Sequence, residues 1–413
     1  MKVAVLVDEF PLISETFILN HIVGLKNIGY TVHVFPTHKA KQGAFHQLFY
    51  KHNLQKNTYY PPIYPSSRVD KILGCIKLGT RSFKSFRLLL KCLITKFHIN
   101  YLTRLSLFFR AIPFIDKGNY DIVHCHYAPN GNVAIQLQNL NLCKGAIITH
   151  LHGYDIHNKQ FIKTISYKYL FNEGKAFIVN SDFTALGYQR LGGDASKAVY
   201  IPEALDTTLF KPLPNKPHTI NEKNFFFIIS VGRLVDFKGF HYGILTIKDL
   251  IQKGYTNIRY TVIGAGPLHE ELKELVKKEQ LTEFISLVGL KNQTEILEAL
   301  QISDVFLSPG IIAESGRQEN QGLVIQEAQA VEVPVVVTDV GGTKQGLIDG
   351  VTGFLVPPED IGELSSKIEL LLRDPSLRAN MGKAGRMFVK EKFDVTVNDK
   401  KIIHLYNKVA KGI

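Results

Sequence analysis

Two carboxylates, Glu319 and Glu327, stand eight residues apart in "ENQGLVIQE", with Gly322 between them at the head of an apolar stretch. A helix starting near Gly322 would leave its first backbone N–H groups without intrahelical partners. Those groups carry partial positive charge and attract an anion such as a phosphate. Glycine lets that anion approach the backbone closely. Glu319 then lies just ahead of the helix, and Glu327 lies over a turn inside it. Acids on both flanks of a phosphate site suit hydroxyl groups on both sides of a diphosphate, a sugar at one end and a ribose at the other. A helix with one exposed and one packed acid, and no ligand, would read the same way. "VGRLVDFKGF" (231–240) adds two cations, Arg233 and Lys238, in a glycine-containing loop after an apolar run. Arginine grips phosphate through a fork of donors, and lysine adds a compact charge. Two cations and a helix N-terminus can neutralise a diphosphate without metal; solvated loop cations have the same composition.

Other chemistries lack their residues. The chain has no Asp-x-Asp pair, no H-E-x-x-H, no G-x-S-x-G and no G-x-x-x-x-G-K-[ST]. "GAGPLH" (264–269) is half of a dinucleotide fingerprint, without its third glycine. We therefore expect no metal and no cofactor in the site. His124 and His126 end an apolar run, where histidines are often only hydrogen-bonded in place; they could also line a substrate.

Short β-rich apolar runs recur along the chain, of the kind buried in parallel sheets. The first half holds "VAVLV" (3–7), "YTVHVF" (30–35), "DIVHCH" (121–126), "AIITH" (146–150), "AFIVNS" (176–181) and "AVYIP" (198–202). The second holds "FFFIISVG" (225–232), "IRYTVIG" (258–264), "FISLVG" (284–289), "DVFLSP" (304–309), "PVVVTD" (334–339) and "GFLVPP" (353–358). Helical stretches such as "PLHEELKELVKKEQ" (267–280) separate them, implying βαβ units. "KPLPNKPHTINEKN" (211–224) is polar, holds three prolines and reads as a linker. Two doubly wound α/β domains follow, and ligands bind such sheets at the carboxyl ends of their strands.

At 413 residues the chain has room for two such domains. It has no apolar run long enough for a membrane span, and "MKVAVLVDEF" is charged too early for a secretion signal. Four cysteines without metal spacing fit a reducing cytoplasm. The net charge of +12 is uneven: residues 1–215 hold 25 Lys/Arg against 12 Asp/Glu, and residues 216–413 hold 24 against 25. Residues 41–115 carry 13 basic side chains and one acid, Asp70. Such a surface seeks an anionic partner. Lys77, Lys84 and Lys91 recur every seven residues with Arg81 on the same helical face, among apolar residues such as Phe83 and Phe86. A basic amphipathic helix over 77–112 reads as an anionic-membrane element; a core helix with a solvated face is the competing reading. No nucleic-acid motif appears.

Six stretches resemble one family. "VGRL…KG", "ENQGLVIQEAQA" and "GGTKQGLIDGVTGFLVPPED" resemble the C-terminal half of family 4 retaining glycosyltransferases, whose signature is the Glu-x7-Glu spacing. "FPLISETFILNHIVGLKNIGYTVHVF", with "HCHYAPNG" and "HGYDI", resembles the branch that builds bacterial exopolysaccharides, colanic-acid-type enzymes included. The resemblance covers residues 1 to about 390 and implies the GT-B fold, two Rossmann-like domains facing across a cleft. It implies an acceptor-binding domain over 1–210, the linker 211–224, a nucleotide-sugar domain over 225–390, and a helix over 391–413 packing back on the first domain.

The resemblance also assigns roles. Arg233 and Lys238 would hold the donor diphosphate, with the backbone of Gly322, Leu323 and Val324. Glu319 would bind hydroxyls of the transferred sugar, Glu327 the ribose, and Gly264 to Gly266 would lie near the nucleoside. Ser14, Glu15 and Thr16 would form a loop on the acceptor side, with His126. His152 would sit at the reaction centre and Asp155 would orient its loop. Catalysis would involve His152, Glu319, Arg233 and Lys238, without metal, and configuration would be retained. Two positions depart from the family: "IPEALD" (201–206) replaces a Pro-Asn-Gly-Val-Asp turn, and Gln345 stands where Glu is frequent. The partners implied are a nucleoside-diphosphate sugar and a saccharide acceptor, lipid-linked in such pathways, at the inner face of the cytoplasmic membrane. A sugar-nucleotide epimerase of the same fold and a silent nucleotide-sugar binder are the competing functions. The sugar, base, acceptor and oligomeric state are not written in the sequence.

Overall fold

The computed structural model describes residues 1–12, 15–40, 47–94, 104–214 and 225–411. Ser14, most of the 211–224 linker and residues 95–103 of the basic segment lie outside the described residues. The chain divides into two compact units, Met1–Ile201 with Asp399–Ile413, and Pro202–Asn398.

The first unit is built on β1 (Lys2–Phe10), β2 (Thr31–Lys39), β3 (Ile122–His126), β4 (Ala146–Leu151), β5 (Ala176–Val179) and β6 (Ala198–Tyr200). All pair in parallel, in the order β2-β1-β3-β4-β5-β6. Helices cover both faces, so the strands are apolar on both sides. Leu6, Val123 and Cys125 join one buried cluster, with Leu107, Phe108 and Phe109. Val5, Ile122 and Ile148 join the opposite one, which the helix Thr16–Asn27 and Tyr406 of the C-terminal helix complete.

The second unit repeats the plan with β7 (Phe226–Val231), β8 (Ile258–Ile263), β9 (Ile285–Leu287), β10 (Val305–Ser308), β11 (Val335–Thr338) and β12 (Gly353–Val356). Its order is β12-β11-β10-β7-β8-β9, again parallel. Ile228, Val262 and Leu307 point into one core, and Ile229, Val231 and Phe306 into the other. Each sheet reverses its strand order once, between β1 and β3 and between β7 and β10, where open α/β sheets bind ligands.

The basic segment differs from its sequence reading. It folds as two helices, Arg68–Gly79 and Phe83–Ile94, broken at Thr80–Ser82. The Ser82 hydroxyl accepts from Ser85 N at 3.1 Å, and the Thr80 hydroxyl donates to Ile76 O, so both side chains end or start a helix instead of continuing one. Lys77 and Lys84 therefore do not share one helical face. The part nearest its end, Arg104–Ala111, buries Leu107, Phe108 and Phe109 and belongs to the core.

Arg386 ties the second unit together. Its guanidinium donates to Phe210 O at 3.0 Å and to the carbonyl of Ala330, the last residue of the helix Leu323–Ala330. Charged hydrogen bonds of this kind contribute about 1.5–3 kcal/mol. Arg386→Ala is expected to lower the melting temperature by several degrees with the far-UV circular dichroism of the folded state unchanged. An unaltered melting curve would show that solvent serves these carbonyls equally well.

Candidate functional site

In the second unit the chemistry gathers at the switch between β7 and β10. Arg233 follows β7 directly and is exposed. The chain then makes a turn, Asp236–Lys238, and enters the helix Phe240–Gln252 through Gly239. Lys238 leans back across this turn to form an ion pair with Glu319. Both side chains are 17% exposed. Two opposite charges held half out of water attract more strongly than a surface pair.

Glu319 is placed by its backbone. Its carbonyl accepts from Gly342 N at 3.0 Å, and the neighbouring Gln318 side chain accepts from Gly341 N at 2.9 Å. Gly341 has φ +58°, and a Cβ there would lie 1.9 Å from Glu319 O. Only glycine permits the "GGT" turn to come this near. Gly322 is the N-cap of the helix Leu323–Ala330, in the left-handed region at φ 75°. Among the described residues no side-chain hydrogen bond caps that helix. Its first amides thus present partial positive charge beside Glu319, whose Cγ lies 3.2 Å from where a Gly322 Cβ would stand. Leu323 and Val324 are half-buried at this helix start.

Glu327 lies in the second turn of the same helix. Burial raises its carboxyl from 4.5 to about 7. Gly264 and Gly266 follow β8, and both are forced by space: a Cβ would fall 1.8 Å from Gly232 O and 2.3 Å from Leu234 O. The "GAG" turn therefore braces the loop that carries Arg233. Arg317 was not singled out in the sequence; its guanidinium lies over the Phe237 ring at 4.7 Å, and the Lys238 ammonium lies 5.8 Å from the same ring. Gln321 was missed as well, and it joins both ways to the Glu203 backbone at 2.7 and 2.9 Å. No motif signals either residue.

In the first unit the polar residues gather at the carboxyl ends of β1, β3 and β4. Glu15 accepts a hydrogen bond from Tyr127 at 2.9 Å, and Thr16 opens the adjoining helix. His126 ends β3, and its Nδ1 meets His152 Nε2 at 3.0 Å. His152 packs against Phe17 and Tyr127 at 4.9 and 4.6 Å between centroids. Asp155 is fully buried, and its carboxylate accepts from Ala128 N at 2.7 Å and His152 N at 3.2 Å. It thus pins the "HGYD" loop to the start of the helix after β3. Desolvation raises its pKa, against the pull of His152 and those amides. His21, His124 and His150 join His126 in a buried group. Burial, then neighbouring imidazoles, hold His124, His126 and His150 well below the usual range and His21 at about 3. His21 and Tyr406 carry no sequence signal, being 385 residues apart.

Two parallel six-stranded sheets of this order make up the GT-B fold. The first unit matches the description "Glycosyltransferase Family 4" over residues 14–209, and the second matches "Glycosyl transferases group 1" over residues 214–388. WcaL of Salmonella typhimurium, named for colanic acid biosynthesis, is 30% identical over 381 residues, covering 89% of this chain and 90% of its own. AmsK of Erwinia amylovora, named for amylovoran biosynthesis, is 27% identical over 418 residues, covering 99% of this chain and all of its own. The chain belongs to this glycosyltransferase family. Among solved structures, Anabaena HepE in complex with UDP-glucose superposes with a TM-score of 0.70 at 18% identity, over 98% of this chain and 99% of its own. Sucrose-phosphate synthase from Thermosynechococcus elongatus gives 0.72 at 18% identity, covering both chains fully.

Glu327 makes a pH dependence testable. Its carboxyl binds a proton more tightly folded than unfolded, so stability is lost as pH rises from about 4.5 through about 7. Glu327→Gln removes this penalty, worth at most about 3 kcal/mol. The variant's melting temperature should exceed that of the parent by several degrees at pH 8 and by little at pH 4.5. A constant difference between the two curves would show an ordinarily solvated carboxylate.

Proposed function

We propose that the protein is a retaining glycosyltransferase that moves a sugar from a nucleoside-diphosphate sugar to a hydroxyl of a lipid-linked saccharide, in bacterial surface polysaccharide synthesis. The observation that carries this reading is the Lys238–Glu319 pair set against the uncapped start of the helix Leu323–Ala330. A diphosphate placed there meets the Lys238 ammonium, the Arg233 guanidinium and the amides of Leu323 and Val324. Glu319, released from Lys238, turns to hydroxyls of the transferred sugar, and Glu327 to the ribose. The kinship with WcaL and AmsK, both named for exopolysaccharide synthesis, supports the pathway.

The reaction breaks the anomeric C–O bond and leaves charge on the diphosphate. Cations and amide dipoles stabilise that charge as it grows, once donor binding has parted Lys238 from Glu319. The acceptor hydroxyl attacks on the face the diphosphate leaves, and a departing phosphate oxygen takes its proton. His152, held through His126 and the Asp155 loop, positions the acceptor. The step requires no metal. Lys238→Ala should reduce kcat/KM by roughly a hundredfold or more, the usual loss for one preorganised donor, and weaken donor binding. Unchanged kinetics would remove Lys238 from the site. Release of nucleotide only when acceptor is present fits transfer, whereas conversion of the free sugar nucleotide would mark an epimerase.

No helix among the described residues is long and apolar enough to cross a membrane. The helix pair Arg68–Gly79 and Phe83–Ile94 nevertheless exposes Val69, Ile72, Leu73, Ile76, Phe83 and Phe86, with Phe83 at 80%. Lys77, Arg81 and Arg87 lie among them. Apolar side chains with basic neighbours suit an anionic bilayer surface, and we assign this pair to the inner face of the cytoplasmic membrane. The protein should sediment with phosphatidylglycerol vesicles and less with phosphatidylcholine alone, and Ile76→Ser with Phe83→Ser should abolish sedimentation. Equal binding by the double variant would remove the helix pair from that role.

A further inference from the structure

Five histidines meet in the first unit, and the way their ring nitrogens are shared points beyond sugar transfer. His21 lies on the helix Thr16–Asn27, His124 and His126 on one face of β3, and His150 and His152 at the end of β4. One ring nitrogen from each of His21, His124 and His126 lies within 4.8 Å of the others, and the same holds for His126, His150 and His152.

The two triads differ in ring orientation. His126, His150 and His152 are stacked, with interplanar angles of 20–25°. His126 and His152 already share a hydrogen bond at 3.0 Å, which commits one nitrogen of each within this triad. The rings of His21, His124 and His126 meet at 45–68° and can converge.

The hydrogen bonds then decide which nitrogens are free to converge. Tyr406 Oη lies 3.1 Å from His21 Nε2 and 2.8 Å from His124 Nδ1, and its oxygen can accept from both. His126 Nδ1 can donate to His152 Nε2 at 3.0 Å. The remaining nitrogens are His21 Nδ1, His126 Nε2 and His124 Nε2. The first two face each other at 3.1 Å, which requires either a proton or a cation between them. A proton serves that pair but leaves His124 Nε2 unpartnered on a side chain with 0% exposure. A buried polar atom without a partner is costly. With a cation one nitrogen of each ring can be a ligand, and the Tyr406 hydroxyl, accepting from two rings, keeps the one proton without an acceptor.

We propose that His21, His124 and His126 form a three-imidazole site for a divalent transition-metal ion of the zinc class. Tetrahedral Zn–N bonds of about 2.0–2.1 Å put ligand nitrogens about 3.3 Å apart, close to the 3.1 Å between His21 and His126. Tyr406 and His152 supply the outer hydrogen bonds that fix ligand tautomers, as metal-bound histidines require. The ion is structural: it joins β3, the first helix and the C-terminal helix, and the sugar-transfer step does not use it.

The test is metal content and Co2+ binding on the full chain, purified without a histidine tag. Chelator-stripped protein should take up one Co2+ with the visible ligand-field bands of a nitrogen-liganded ion, and Zn2+ should displace it and raise the melting temperature. His124→Ala should lose the ion, and His150→Ala should keep it. Stripped protein that binds no Co2+, or a His124→Ala variant that still binds one, overturns the proposal. Should His124→Ala fail to fold, X-ray absorption of the parent's Co2+ complex decides: three imidazole ligands support the site, and fewer refute it.

Discussion

The second unit depends on one interaction: the ammonium of Lys238 against the carboxylate of Glu319, beside amides that no side chain caps. Such a pair is unstable to loss of either member, because the survivor is left half-buried and uncompensated. The surroundings are arranged to keep it in place. The "GGT" turn holds the Glu319 backbone. The "GAG" turn presses on the loop carrying Arg233. Gly239 lets the chain turn into a helix directly after Lys238. On the proposed reading, a ligand bearing both phosphate and hydroxyls takes over each of these opposite charges.

The first unit solves a different problem. A parallel strand buried on both faces ordinarily carries apolar residues, yet β3 places His124 and His126 there. Their ring nitrogens meet His21 of a helix, His152 and Tyr406 from the far end of the chain, and His124 Nε2 has no hydrogen-bond partner among the described residues. The C-terminal residues therefore complete the polar interior of a unit whose other residues end at Ile201.

Much of the fold was legible because buried parallel strands leave continuous apolar runs. All twelve runs singled out in the sequence coincide with the twelve strands of the two sheets. Gly322 was readable as a helix start because an apolar stretch begins directly after it. The seven-residue lysine spacing misled because periodicity does not register Ser82 and Thr80, whose hydroxyls turn to the backbone and break the helix. The ion pair was hidden, since Lys238 and Glu319 are 81 residues apart. So was the histidine group: "HCH" and "HLH" show four members, but only folding brings His21 and Tyr406 to them.

The most direct measurement is calorimetric binding of nucleotides to the full chain. UDP, GDP and ADP are compared first, and then the tightest of them against its monophosphate and nucleoside. If fixed charge at Lys238, Arg233 and the helix start grips a pyrophosphate, removing the β-phosphate weakens binding a hundredfold or more, and added salt weakens the diphosphate most. A monophosphate or nucleoside that binds as tightly as the diphosphate would contradict the central claim.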